Sequence, residues 1–351
     1  MSDAPPVEPL PYTPGTAAEL LGPGWTEVVQ SAYRWMRLGR ALDSRMQALQ
    51  RQGRVGFYGA ATGQEAVNVA AGLVTERDDW IFPGLREQLV ALVRGHPLVE
   101  YAHHLFADRL DPSRGRNMPC HPSAREVHYV SMSSVIGTQI THAVGLAYAL
   151  RSKGSNAVSV AFFGDGATSS NDFHAGLNFA GVLALPVVFC CANNQWAISA
   201  PVTRQTAAPT FASKAAEYGL PGRQVDGTDL IAVYSELSRA LRDARAGAGP
   251  TLLEFVTFRM TAHSSSDDPA RYQPAEWTAR AAAHDPVARL ERWMRDQGLL
   301  PSSAIAEIAS AAENEVRRAV ETAEATPPPP PDSLTEDVYA FSGSGTMRHP
   351  G

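Results

Sequence analysis

The feature that most constrains this chain lies near its middle. Residues 157–163 (AVSVAFF) and 186–192 (PVVFCCA) are unbroken apolar runs rich in β-branched and aromatic side chains, and 251–258 (TLLEFVTF) is a third. Runs this short do not make buried helices; they read as strands apolar on both faces. Between the first two, Phe173, Leu177 and Ala180 recur at helical spacing. Strands that alternate with helices and need cover on both sides imply an α/β fold: a doubly wound, mainly parallel sheet with helices on both faces.

The flanks fit the same class. Ala32, Trp35, Leu42, Met46 and Leu49 space as a helix over 28–52, and Gly53 stops it. FYGAATGQEA (57–66) reads as a Gly-broken loop entering a second helix, and 138–153 as a helix closed by Lys153 and Gly154. Helical spacing returns at Val287, Leu290 and Met294, and at Ile305, Ile308, Val316 and Val320. Residues 108–127 are polar with scattered Gly and Pro, a long surface loop of the kind that usually carries function. The expected organisation is an extended, Pro-rich N-terminal arm (1–24), one domain (25–325) and a Pro-rich tail (326–351).

Net charge is −6 without a long run of one sign, which argues against nucleic-acid or membrane-surface partners. No stretch of eighteen apolar residues is present to span a bilayer, and the acidic start has neither signal-peptide nor transit-peptide character. Three cysteines, two of them adjacent (Cys190 and Cys191), build no disulfide framework. A cytoplasmic setting is expected.

The chemistry gathers at the strand ends. The first run ends in Gly164-Asp165-Gly166 and the second in Asn193-Asn194, with 26 residues between the motifs. Ligands of doubly wound sheets bind beyond the carboxyl ends of the strands, so both motifs can face one point. Asp165 offers a carboxylate and Asn194 an amide oxygen. Both suit Mg²⁺, which takes few protein oxygens and completes its octahedron with phosphate and water. The glycines let backbone amides approach a phosphate, and the following helix directs its positive N-terminus there. Two other readings stand beside this one. GDGATS loosely matches a dinucleotide fingerprint, but such a site wants an acidic residue after the second strand, where this chain has the asparagines. Asp165 and Asn194 also fit as plain turn formers.

GDG, this spacer and NN resemble the thiamin-diphosphate motif. From about Tyr33 to Tyr339 the chain is similar to the alpha subunits of the decarboxylating component of 2-oxo acid dehydrogenase complexes. The segments that carry the likeness are RQGRVGFY, GQEA, GRNMP, SMSSVIGTQ, HAGLNFA, NNQWAIS, VDGTD and RMTAHSSSDD; the last, with RQGR–FY, looks most like the branched-chain enzymes. The resemblance implies the thiamin-diphosphate-binding version of the α/β fold. It implies that Asp165, Asn194 and the Trp196 carbonyl hold Mg²⁺, and that Gly164, Gly166, Ala167 and Arg86 bind the diphosphate. Ser134 and Ile136 would face the cofactor, with Ile136 propping it in its bent form.

Ser133, Val135, Thr138 and Gln139 match a ring of ligands around a potassium ion, although Ser134 and Thr138 fit equally as helix caps. His263 is the catalytic candidate, since an imidazole suits proton transfer near neutral pH. It also counts among the cofactor contacts, as does Arg259, which supports its loop. His121 matches a position near the mouth of the site. Phe57, Tyr58 and Ile136 would line an apolar substrate pocket, or serve simply as core. Two residues depart from the family pattern: Leu85 stands where a tyrosine usually contacts diphosphate, and Ala192 where a charged or polar residue usually precedes NN.

The activity implied is oxidative decarboxylation of a branched-chain 2-oxo acid with transfer of the acyl group to a lipoyl arm. The chain would be half of an active site in an alpha-2-beta-2 enzyme, with the beta subunit and a lipoyl acyltransferase core as partners. A pyruvate or acetoin dehydrogenase alpha subunit is the neighbouring alternative. A weakened structural paralogue is favoured by Leu85 and Ala192, and a Rossmann-type oxidoreductase is disfavoured by the NN ending.

Overall fold

The computed structural model describes residues 16–336. Its main sheet has five parallel strands. They are β1 (Trp80–Phe82), β2 (Ser159–Gly164), β3 (Val187–Asn193), β6 (Gly222–Asp226) and β7 (Thr251–Val256), in the order β1-β2-β3-β7-β6. A two-stranded ladder, β4 (Trp196–Ala197) with β5 (Ala200–Pro201), stands beyond the end of β3. The α/β expectation therefore holds.

The double cover follows from the period-two alternation of side chains along a strand. Val160, Phe162, Val188, Cys190, Leu253 and Phe255 point into one apolar cluster. Ala161, Phe163, Val187, Phe189, Cys191 and Leu252 point into another. The first is covered by α2 (Trp25–Arg51), α3 (Glu65–Val74) and α8 (Leu230–Arg245), the second by α6 (Thr138–Ser152) and α7 (Asn171–Val182). Because α7 follows β2 on one face and α8 follows β6 on the other, a crevice opens at the carboxyl ends of the strands between them.

The opposite end of the sheet is tied by charge. Asp79, fully buried just before β1, accepts from the amides of Glu76 and Val158, each at 2.8 Å, and from Arg245 Nη2 at 2.9 Å. Arg94 donates to the carbonyls of Glu76, Arg77, Asp79 and Val127 around it.

The stretch expected to be an extended arm differs where it is described. Thr16 and Glu19 form a capping box over a short helix, α1 (Ala17–Leu21), so local capping overrides the surrounding prolines. Residues 1–15 and 337–351, most of the arm and tail, lie outside the described residues. The 108–127 loop is not wholly a surface loop. His103 Nδ1 pairs with Asp108 at 2.6 Å and His104 Nδ1 with Asp111 at 3.2 Å, drawing both aspartates into the interior. Among the described residues no helix is long and apolar enough to cross a membrane.

Candidate active site

Strand register brings the two motifs together. Gly164 pairs with Ala192, so Asp165 and Asn194 lie one and two residues beyond paired positions on adjacent strands. Asn193 turns inward, donating to Glu254 at 2.7 Å and accepting from the Gln195 amide at 3.0 Å. Asn194 is left to face the crevice edge, its amide oxygen 3.3 Å from the Trp196 amide. Asp165 is 1% exposed and its carboxylate accepts from Gln205 Nε2 at 2.6 Å. Burial pushes this carboxyl up to about 6, with the Gln205 amide, the residue's own backbone amide and the charge of Arg259 acting the other way. A buried carboxylate on a strand end, beside an amide oxygen and the Trp196 carbonyl, is a donor set that fits a hard divalent cation.

Of the two motif glycines, packing requires only Gly166. A Cβ on Gly164 would meet nothing within 4 Å, leaving open space over the backbone, whereas one on Gly166 would come 2.7 Å from Ala197 Cβ. The helix does not follow GDG directly: Asp165–Ser169 forms a 3-10 turn, and α7 begins only after Ser170 caps it by accepting from Phe173 N at 3.2 Å. Amides of the 3-10 turn, rather than the α-helix N-terminus, therefore lie next to the motif.

Arg86 and His263 meet across the crevice. Arg86 lies past the end of β1 and is 5% exposed. Its guanidinium donates to the carbonyl of Ala60 and, at 2.6 Å, to that of His263, and lies 3.4 Å from His263 Nδ1. Burial, and then the positive charge of Arg259, hold it down to about 10. A buried cation satisfied by carbonyls rather than by a carboxylate suits an incoming phosphate. His263 is half-buried. Burial, then Arg86 and Arg259, hold its imidazole down to about 4, so it is neutral at pH 7. Its backbone amide donates to Asp267 at 2.8 Å, and Asp267 also accepts from the Tyr272 hydroxyl at 2.5 Å.

The buried Arg259 guanidinium is held by the chain itself. It donates to the carbonyls of Trp196 (3.1 Å) and Ile198 (2.8 Å) and to the Tyr272 hydroxyl (2.6 Å). Through these contacts it braces the His263 loop against NNQWAIS.

The SMSSVIGTQ segment lies at the lip. His121 Nδ1 faces the Pro119 carbonyl at 2.9 Å, and a carbonyl only accepts. Nδ1 therefore donates there, and Nε2 lies within hydrogen-bonding reach of the Ser134 hydroxyl. Val135 and Ile136 are 67% and 62% exposed beside them. Ser133 Oγ accepts from the Val135 amide at 3.1 Å, and Gln139 donates to the Phe162 carbonyl at 2.9 Å while its amide oxygen is buried without a partner. The cap of α6 is Gly137, with no side-chain hydrogen bond, so Ser134 and Thr138 are not the caps considered above.

The apolar side divides. Phe57 is half-buried with its ring 6.3 Å from that of His121, placing it near the lip. Tyr58 turns away: it is 3% exposed and donates to buried Asp43 at 2.7 Å, which removes it from the pocket wall. Leu85 packs on Gly59, where a Cβ would come 3.0 Å from Leu85 Cγ. Ala192 is buried in β3 between β2 and β7. Behind this wall Gly63, at φ +97°, donates to Glu65 at 2.8 Å, and Glu65 is held by Arg40 at 2.7 Å. Three residues near the site were not singled out in the sequence: Gln205 on Asp165; Asp267 under His263, although it lies within RMTAHSSSDD; and Glu87, whose buried carboxyl burial pushes up to about 7 beside Arg86.

Comparison with known proteins agrees with this geometry. Residues 33–332 match the family described as the dehydrogenase E1 component. A Mycobacterium tuberculosis 3-methyl-2-oxobutanoate dehydrogenase subunit alpha is 45% identical over 78% of this chain and 72% of its own length. A Bacillus subtilis 2-oxoisovalerate dehydrogenase subunit alpha is 37% identical over 88% of this chain and 94% of its own. A Staphylococcus aureus pyruvate dehydrogenase E1 component subunit alpha is 38% identical over 86% and 79%. With strand-end aspartate and asparagine, buried arginine and loop histidine brought to one crevice, the chain belongs to the dehydrogenase E1 component family as an alpha-type chain of the 2-oxo acid dehydrogenases.

Proposed function

We propose that this chain binds Mg²⁺ and thiamin diphosphate and, with a beta subunit, oxidatively decarboxylates branched-chain 2-oxo acids, passing the acyl group to a lipoyl arm of an acyltransferase core. The observation that carries the reading is the buried Asp165 carboxylate beside Asn194, at the same strand-end crevice as a buried Arg86 that no carboxylate neutralises by hydrogen bond. A cation at the first and a diphosphate at the second would balance both. Asp165, Asn194 and the Trp196 carbonyl would hold the metal; the amides of Gly164, Gly166 and Ala167, with Arg86, would hold the diphosphate. When bound, the cofactor supplies the electron sink that decarboxylation needs.

The chain's own groups do the rest. The Arg86 contact to the His263 carbonyl ties the phosphate grip to the loop that presents the imidazole. Neutral His263 can accept a proton or a hydrogen bond at the substrate end, and diphosphate charge near Arg86 would raise its basicity. Ser134, Ile136 and Phe57 would meet the organic part of cofactor and substrate. Gln139 and Ser133, with the Val135 carbonyl and Thr138, would ring a potassium ion, for which the orphaned Gln139 oxygen is the support. Residues 25–325 form the working domain in this reading, flanked by arm and tail, in a cytoplasmic protein.

The branched-chain preference rests on apolar Phe57 and Ile136 and on the relatives named for 3-methyl-2-oxobutanoate and 2-oxoisovalerate. Calorimetric titration of thiamin diphosphate with and without Mg²⁺, with NADH as the control ligand, tests the core of the proposal. Mg²⁺-dependent binding of the first and none of the second is expected. Failure to bind thiamin diphosphate even with the beta subunit would leave a structural paralogue instead.

A further inference from the structure

We infer that Gln205 is an outer ligand of the cation at Asp165: its amide nitrogen steadies the carboxylate, and its amide oxygen accepts a hydrogen bond from a water on the metal. The inference rests on the metal reading above and extends it to a residue outside the GDG and NN motifs.

The orientation of the amide is settled by its neighbours. One side of the group lies 2.6 Å from Asp165 Oδ2 and 3.2 Å from the Ala200 carbonyl. Both are acceptors, so the NH₂ belongs there, and the reversed amide would set oxygen against oxygen twice. That leaves Oε1 on the other side. It is buried and has no partner. It also lies 3.8 Å from the position a Cβ on Gly166 would take, over the turn where the backbone opens toward a phosphate. A buried amide oxygen needs a donor, and the diphosphate, being all acceptors, cannot supply one.

A metal-bound water can. Mg²⁺ keeps part of its hydration shell when protein and phosphate oxygens take the other positions, and the protons of that water point outward as strong donors. The backbone holds Gln205 for this task. Its amide donates to the Val202 carbonyl at 2.9 Å, and Val202 N donates to the Gln195 carbonyl at 3.2 Å. The residue is therefore anchored to the turn that carries Asn194.

The test compares Gln205→Met, which keeps bulk but neither donates nor accepts, with Gln205→Glu, which keeps the accepting oxygen. Mg²⁺ is titrated calorimetrically into the full chain with its beta subunit at fixed thiamin diphosphate, and melting is followed in EDTA. Gln205→Met should bind Mg²⁺ 10–100-fold more weakly, the usual effect of losing an outer partner. Gln205→Glu should bind at least as tightly as the parent at pH 8, while melting earlier in EDTA because two carboxylates then adjoin. Parent-like Mg²⁺ affinity in Gln205→Met overturns the inference alone. So does equal weakening in both variants, which would mark Gln205 as a support for the fold. Loss of Mg²⁺-dependent binding in the parent removes this inference and the proposed function together.

Discussion

Asp165→Asn should make the cation-free protein more stable and the cofactor-loaded protein less so. With no divalent cation present, burial raises the Asp165 carboxyl from 3.8 to about 6. That shift is worth about 3 kcal/mol, since each unit is roughly 1.4 kcal/mol. The sign follows from the direction. An acid whose folded value is raised contributes fully to stability below its unfolded value, near pH 4, and loses that contribution as pH rises through about 6. At pH 7.5 the parent in EDTA thus carries an ionised carboxylate held by one side-chain amide, that of Gln205.

Asparagine never ionises and keeps an oxygen for Gln205. In EDTA at pH 7.5 the variant should melt roughly 5 °C higher, from about 2 °C per kcal/mol in a chain of this size. The gap should close near pH 4. Saturating Mg²⁺ and thiamin diphosphate should reverse the order, because ligand at a thousandfold its Kd adds about 4.1 kcal/mol to the parent and nothing to the variant. Scanning calorimetry over pH 4.5–8, with and without ligands, reads all three effects. A variant no more stable than the parent at pH 7.5, or a gap that ignores pH, would refute the burial argument.

His263→Ala should leave thiamin diphosphate affinity within a few-fold and lower lipoyl acylation in the full assembly by roughly 10²–10⁴, as for a positioned acid-base group; an unchanged rate rejects the role. In the cofactor-free chain the His263 imidazole should stay neutral down to about pH 4, and its contribution to stability should be lost only as pH falls below its unfolded value of 6.5; an NMR titration with a midpoint near 6.5 would contradict the placement between two arginines. Gly63→Ala should destabilise by at least about 3 kcal/mol, since a Cβ there meets the Phe258 carbonyl at a positive φ; a parent-like urea midpoint would show that the loop adjusts. Competition among 2-oxoisovalerate, pyruvate and 2-oxoglutarate should favour the first, and a specificity constant highest for 2-oxoglutarate would defeat the apolar-pocket argument.

The parts legible in the sequence were those with strong periodicity. Three interior strands, β2, β3 and β7, are apolar on both faces and bracketed by helices, so the parallel sheet and the meeting of GDG with NN could be read directly. β1 is three residues long and β6, on the edge, has only Val225 among its apolar positions, so neither rises above a loop. The helix α8 was legible and overlooked: Asp229 caps it and Leu230, Val233, Leu237 and Leu241 repeat along one face. Site residues carried by motifs came out together, whereas Tyr58 faced inward because Asp43, fifteen positions earlier, sits opposite it. No local pattern announces a tertiary partner of that kind, and Gln205 was hidden for the same reason.

The tie at Asp79 has a practical side for anyone wishing to harden this protein. Buried polar atoms without partners include Asn68 Oδ1, Gln139 Oε1, Trp196 Nε1 and Gln205 Oε1, all on the side of the sheet that faces the crevice or borders it. Filling those positions with apolar groups would raise melting temperature and block whatever they are meant to receive. The far end, where one carboxylate and two arginines clasp strand starts and turns, takes no part in the crevice. Substitutions for thermal tolerance, shorter turns or a new crosslink belong there, where a gain in rigidity leaves ligand exchange at the other end untouched.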